Sequence, residues 1–194
     1  GNNFNGLKES VTLVSQLRDM FNYDFRPSRT GALHDSGAVI DSPNGYAAYT
    51  GDAPLPQYQE SVAQGESLDL GAYELDSAFY WIPGYKTAKA SFAIPRNELV
   101  DGAARTVGTD VSLIWRDGYQ SLSHHLYLAS SKNEIEATIV GDTDSTLFQG
   151  DFAAGEANVY QPVNTFAPGS YYWRVDAVQV DGTVVQGDTW KFIV

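Results

Sequence analysis

From residue 87 to residue 194, apolar and polar positions alternate in short runs. These are ASFAI (90–94), VSLIW (111–115), HHLYLAS (124–130), ATIVG (137–141), ANVYQPV (157–163), YYWRVDAVQV (171–180) and TWKFIV (189–194). A period of two places successive side chains on opposite faces of a strand, so one face of each run can enter a core. Val111, Leu113 and Trp115 share a face. Tyr171, Trp173, Val175 and Ala177 share another, with Tyr172, Arg174 and Asp176 facing the opposite way. Trp190, Phe192 and Val194 alternate with Lys191 and Ile193. RDG, GDTD, APGS and VDGT supply turns between the runs, and Asp181-Gly182 predicts a tight hairpin before the last strand. Short strands at this spacing predict an all-β, immunoglobulin-like sandwich over 87–194.

Residues 1–86 have a different texture. Val11, Val14, Leu17, Arg18 and Phe21 approximate one helical face and predict a helix over 10–21, with Ser10 as its cap. Residues 41–67 hold Pro, Gly, Asn and Ser without a period and predict a long surface loop. The pattern therefore divides the chain into a β-rich, loop-rich cap (1–86) and the sandwich (87–194). The stretch SAFYWIPGYKTAKA (77–90) is expected to join them, with Trp81 and Tyr85 as packing anchors.

Charge narrows the class of partner. The formal net charge is −12, from 12 basic and 24 acidic residues. Nucleic acid demands a basic stripe to neutralise phosphates, and an anionic membrane surface demands the same. Neither partner is expected. No apolar run approaches the roughly 18 residues of a membrane-spanning helix. The absence of cysteine excludes a disulfide framework and a thiolate zinc site. The chain opens GNNFNG, without initiator methionine or signal peptide, which reads as a mature product or an excised piece. The expected location is secreted or cell-surface.

Candidate chemistry is sparse. Nucleophile-elbow, zincin, P-loop and dinucleotide fingerprints are absent, and no catalytic residue is assigned. His124 and His125 are adjacent on a strand, so they point to opposite faces and cannot share one metal. The Leu126/Leu128 phase puts His124 in the core and His125 on the solvated side. Asp24, Asp35, Asp41, Asp69 and Glu74 are oxygen donors in the first half. Asp35, Asp41 and Asp69 are the candidate ligands for a structural calcium ion, although capping of turns is the favoured role for such carboxylates. Asp142 and Asp144 also read as a turn. Arg18, Arg26 and Arg29 form a basic cluster able to meet an anionic sugar. A structural ion pair is the simpler role for Arg26. Exposed aromatics can stack on pyranose faces. The candidates are Tyr46, Tyr49, Tyr58, Tyr80, Trp81, Tyr119, Tyr127 and Tyr172, with Tyr46, Tyr49, Tyr58 and Trp81, beside Arg29, as the preferred carbohydrate site.

Two resemblances add context. VSLIW with its trailing Trp115, and FAPGSYYWRVDAV (166–178), resemble the second strand and the L-x-P-G-T…Y…RV-x-AV signature of fibronectin type III domains. In that family a tyrosine at the strand entrance bonds back to the preceding corner, which here implies Tyr171. Domains of this form accompany secreted bacterial polysaccharide-active enzymes. YDFRPSRTGALHDSGAVI (23–40) and DLGAYEL (69–75) resemble motifs closing right-handed parallel β-helix polysaccharide lyases and hydrolases, with His34-Asp35-Ser36-Gly37 where I-D-A-G is usual. Too few residues precede the sandwich for a free-standing solenoid, which needs about three repeats. The resemblances imply a non-catalytic region of a polysaccharide-active protein. It would bind a polysaccharide, an anionic one included, or steady an upstream catalytic domain, with no cofactor beyond that calcium. The alternatives are a structural or adhesive surface module and a lyase or hydrolase fragment.

Overall fold

The computed structural model describes residues 13–36, 69, 73–100 and 106–194. The chain divides into two compact units, Gly1–Ser77 and Ala78–Val194. In the first, helix α1 (Leu13–Gln16) runs into strand β1 (Leu17–Asp19), a 3-10 turn (Met20–Asn22) and strand β2 (Asp24–Pro27), with β1 and β2 antiparallel. Within the described part of 10–21, the expected helix thus ends at Gln16; Ser10 lies outside the described residues. Local hydrogen bonding explains the break. The Asp19 carboxylate accepts the Asn22 amide at 3.2 Å and its side-chain Nδ2 at 2.7 Å, which closes a turn where a helix would continue. Tyr23 then takes a left-handed conformation (φ 71°) and sends the chain back along β1. The loop expected at 41–67 lies outside the described residues.

The second unit is an all-β sandwich. One sheet combines β3 (Ser91–Ile94), β4 (Leu113–Arg116) and β7 (Val159–Tyr160) in the order β3-β4-β7. The other orders β10-β8-β5-β6, from β5 (Ser121–Ala129), β6 (Phe148–Ala153), β8 (Ser170–Gln179) and β10 (Thr189–Ile193). The short β9 (Val184–Val185) also pairs with β8, and every pairing is antiparallel. Leu113 and Trp115 from the smaller sheet meet Leu126, Trp173, Val175, Trp190 and Phe192 from the larger in one core. The alternation read from VSLIW, YYWRVDAV and TWKF thus selects these core positions. Tyr171 donates its hydroxyl to the Ala167 carbonyl at 3.0 Å, and its ring stacks on Phe192. That is the bond back to the corner expected of this residue, made at an exposed carbonyl and not a buried one.

One expected strand is not a strand. Residues 132–137 form helix α2 (Lys132–Ala137), and 138–147 turn without pairing. Ile135 is the helix's buried apolar residue, while Ile139 is 72% exposed. ATIVG therefore has β-branched composition but no sheet edge to join. The strand in this region is β6, whose sequence FQGDFA escapes a period-two search. Gly150 and a register shift between Leu126 and Tyr127 interrupt its alternation.

Helix α2 also covers the far face of the larger sheet. Tyr127, Ala129 and Ile135 form a second apolar cluster with Leu147, Phe148 and Tyr172. Arg174 and Asp176 lie beneath it at 0% exposure. The face expected to point outward at Tyr172, Arg174 and Asp176 thus turns away from the main core, but Arg174 and Asp176 are sealed and Tyr172 is half-buried. Arg174 makes two bonds to Asp176, at 2.8 and 3.0 Å, and donates to the carbonyls of Ile135 and Thr138. Its guanidinium lies 5.0 Å from the Tyr127 ring centre. Burial and the nearby Asp176 push the Tyr127 hydroxyl up to about 12, against the opposing pull of Arg174, so the phenol stays protonated.

Candidate functional site

In the first unit, His34, Asp35 and Asp69 bring three ligand atoms within 4.8 Å of one another. Asp69 is buried, and both its oxygens accept amides: Oδ1 from Asp35 at 2.6 Å and Oδ2 from Leu75 at 2.8 Å. The Asp69 amide in turn donates to Glu74 Oε1 at 3.0 Å. Asp69 and Glu74 thus tie residues 69, 74 and 75 to Asp35 through carboxylate-to-amide bonds, the turn-capping role favoured for these residues. Asp35 and Asp69 adjoin as a metal site would require, with His34 as an unforeseen third donor. Asp41 lies outside the described residues. Arg26 and Asp24 form a buried two-bond pair at 2.9 and 2.7 Å, the structural ion pair anticipated for Arg26. Arg29 is exposed and pairs with Asp76 at 2.9 Å.

A second cluster lies in the sandwich. Ser121 Oγ stands 3.2 Å from His124 Nε2, and His124 Nδ1 stands 3.7 Å from Asp117 Oδ1. The order resembles a nucleophile, base and orienting acid, but the hydrogen bonds assign another role. The Gly118 amide donates to Nε2 at 3.0 Å, so that nitrogen's lone pair is occupied and the proton sits on Nδ1. Ser121 donates to the Gly118 carbonyl at 2.9 Å. His124 is fully buried beside Trp115, and desolvation lowers its pKa despite Asp117. A base must reach the proton it abstracts; this imidazole instead holds the 117–121 turn. His125 lies on the opposite face, 3.7 Å from Asp151, as adjacent strand positions require.

The aromatic candidates separate by burial. Tyr80 and Tyr127 are buried and cannot meet a ligand, contrary to their reading as outward residues. Tyr80 alternates with Trp81 along an extended segment fixed by Asn158, which accepts the Tyr80 amide at 2.7 Å and donates to its carbonyl at 2.8 Å. Tyr172 is half-buried under α2, and Tyr119 is exposed on the β4–β5 turn. Tyr46, Tyr49 and Tyr58 lie outside the described residues. Trp81 is 40% exposed, Tyr85 86% and Phe92 44%.

Arg116, at the end of β4, links the segments that carry Tyr85 and Phe92. It donates to the Pro83 carbonyl at 2.7 Å and the Tyr85 carbonyl at 2.8 Å, and its guanidinium lies 5.2 Å from the Phe92 ring centre. The 83–85 turn needs Gly84, at φ 120°, where an added Cβ would meet Arg116 Nη2 at 2.9 Å. Phe92 itself sits at φ 57°, inside the register shift of the β3–β4 ladder. Ala90 and Ala93 pack on the core, so the extra residue turns Phe92 to the surface. A bulky residue in the left-handed region costs on the order of 1–3 kcal/mol. The sequence reading named Trp81 but neither Phe92 nor Arg116, because alternation cannot register a bulge. An arginine closing a strand whose neighbour carries an isolated phenylalanine was the available signal. Comparison with protein-family models, with curated proteins and with solved structures finds no match to this chain.

Proposed function

We propose that this chain is a non-catalytic, ancillary part of a secreted polysaccharide-active protein, and that it binds carbohydrate through the aromatic surface around Arg116. The observation carrying this reading is that Tyr85 and Phe92 stand exposed on segments held by one guanidinium, with Trp81 exposed two residues before Pro83. An aromatic face is apolar and electron-rich, and it complements the C–H face of a pyranose ring. A backbone held in place reduces the ordering cost of binding. Phe92's left-handed geometry adds to the case, since strain of this kind gathers where a side chain is held for a purpose. Arg29 pairs with Asp76 within the first unit and is not part of this proposal. A structural calcium ion at Asp35 and Asp69 belongs to the same proposal, as a brace for the first unit and not as a sugar ligand.

Affinity electrophoresis of the whole chain against a panel of polysaccharides tests the reading. Retardation by at least one glycan is expected, and Trp81→Ala should reduce it. Mobility unchanged on every glycan would leave a structural or adhesive module as the account of the chain. Release of sugar products would instead make it an enzyme.

A further inference from the structure

We infer that the glycan taken by the Arg116 surface is uncharged; this rests on reading that surface as a sugar site. Recognition of a uronate or sulfated polymer requires cations free to meet carboxylate or sulfate groups, usually arginines presenting two donors side by side. Three cations described on this stretch, Arg116, Lys86 and Lys89, are held by other groups. Arg116 directs one N–H of each terminal nitrogen at a backbone carbonyl and stands over the Phe92 ring. Its Nε is buried. Lys86 stands 3.4 Å from the Asp117 carboxylate, which is itself buried and would lose its cation if Lys86 turned to a ligand. Lys89 pairs with Asp188 at 2.6 Å. Farther off, Lys191 pairs with Glu98 at 2.7 Å, and Arg174 is sealed against Asp176.

The long-range field acts in the same direction. At a net charge of −12 the chain repels a polyanion, and the repulsion reaches about 10 Å at 0.1 M salt. What the surface offers is aromatic area, backbone polar groups and cations already held by carbonyls or carboxylates. Those features match the hydroxylated, uncharged face of a neutral hexose or pentose polymer. The guanidinium organises the rings; its charge is already answered by two carbonyl dipoles and an aromatic face.

The test uses the whole chain in affinity gels and in equilibrium titration. The neutral probes are laminarin, hydroxyethylcellulose and arabinoxylan; the anionic probes are alginate and polygalacturonate. At least one neutral polymer should bind with an affinity that changes less than about twofold between 20 and 300 mM salt. Trp81→Ala and Tyr85→Ala should each weaken that binding about tenfold or more. Circular dichroism of both variants checks that the sandwich is intact, which is expected for changes at exposed positions. Binding confined to alginate or polygalacturonate, weakened by salt and by the same variants, would overturn the neutral assignment while keeping the sugar site. Absence of binding to all probes, or binding indifferent to both variants, would overturn the site itself.

Discussion

His124 accepts the Gly118 amide and is buried beside Trp115, so the folded state holds its imidazole neutral. Desolvation lowers its pKa from the ordinary 6.5, with Asp117 opposing. The unfolded chain takes up a proton near 6.5, and the folded chain takes it up only at lower pH. Stability from this residue is therefore complete above about pH 6.5 and declines as pH falls from there toward the folded-state value. Urea unfolding should show a lower midpoint at about pH 5.5 than at about pH 7.5, and His124→Gln should flatten that difference. Equal slopes in the two proteins would place the pH dependence elsewhere. The period-two phase of Leu126 and Leu128 predicts that His124 points inward. It says nothing of Ser121 and Asp117, because a turn brings them to the ring.

Helix α2 has six residues, fewer than the roughly 12–15 at which an isolated helix becomes even marginal in water. Its support is tertiary: Ile135 enters the second apolar cluster, and Arg174 donates to the carbonyls of Ile135 and Thr138. Asp176 completes the lock by accepting amides from Gly187 at 3.0 Å and Gly141 at 3.3 Å. Residue 187 has to be glycine, since a Cβ there would fall 2.1 Å from the Val175 carbonyl oxygen. Arg174→Met leaves a buried carboxylate uncompensated and should cost about 3–5 kcal/mol. Adding Asp176→Leu should restore much of that loss, because the orphaned charge goes with it. Denaturant titration of the two variants checks both halves. A double variant no more stable than the single one would assign the effect to the helix contacts alone. Hydrogen exchange in 132–138 should accelerate in either case.

The core of the sandwich draws its residues from 90 to 192, inside the unit Ala78–Val194. Residues 78–82 belong to it through hydrogen bonds: Ala78 accepts the amides of Asn158 and Val159, and Tyr80 exchanges bonds with Asn158. A fragment starting at residue 78 should therefore unfold cooperatively on heating and keep the near-ultraviolet circular dichroism of Trp115, Trp173 and Trp190. A fragment starting at 87 discards the Asn158 partners and should melt lower. Identical melting of the two would show that 78–86 adds nothing to the fold. The first unit offers a contrast. Its described order rests on carboxylates bound to amides and guanidinium, in Asp19, Asp24 and Asp69, and such bonds leave little periodic trace in a sequence.

Period-two alternation alone determined the sandwich, because a strand with one buried face must repeat every second residue. It selected Leu113, Trp115, Trp173, Val175, Trp190 and Phe192 for the core, while the Tyr171 bond was implied only by the resemblance of FAPGSYYWRVDAV to a known signature. Tertiary structure decided whatever depends on residues distant in the chain or on a break in the period. It put α2 over Arg174 and Asp176, closed His124 away from substrate, and buried Tyr80 while leaving Trp81 exposed. Through the β3 bulge it set Phe92 on the surface beside Arg116. The physical reason is that alternation reports which side of a strand a residue takes, whereas exposure depends on what else in the molecule comes to lie on that side.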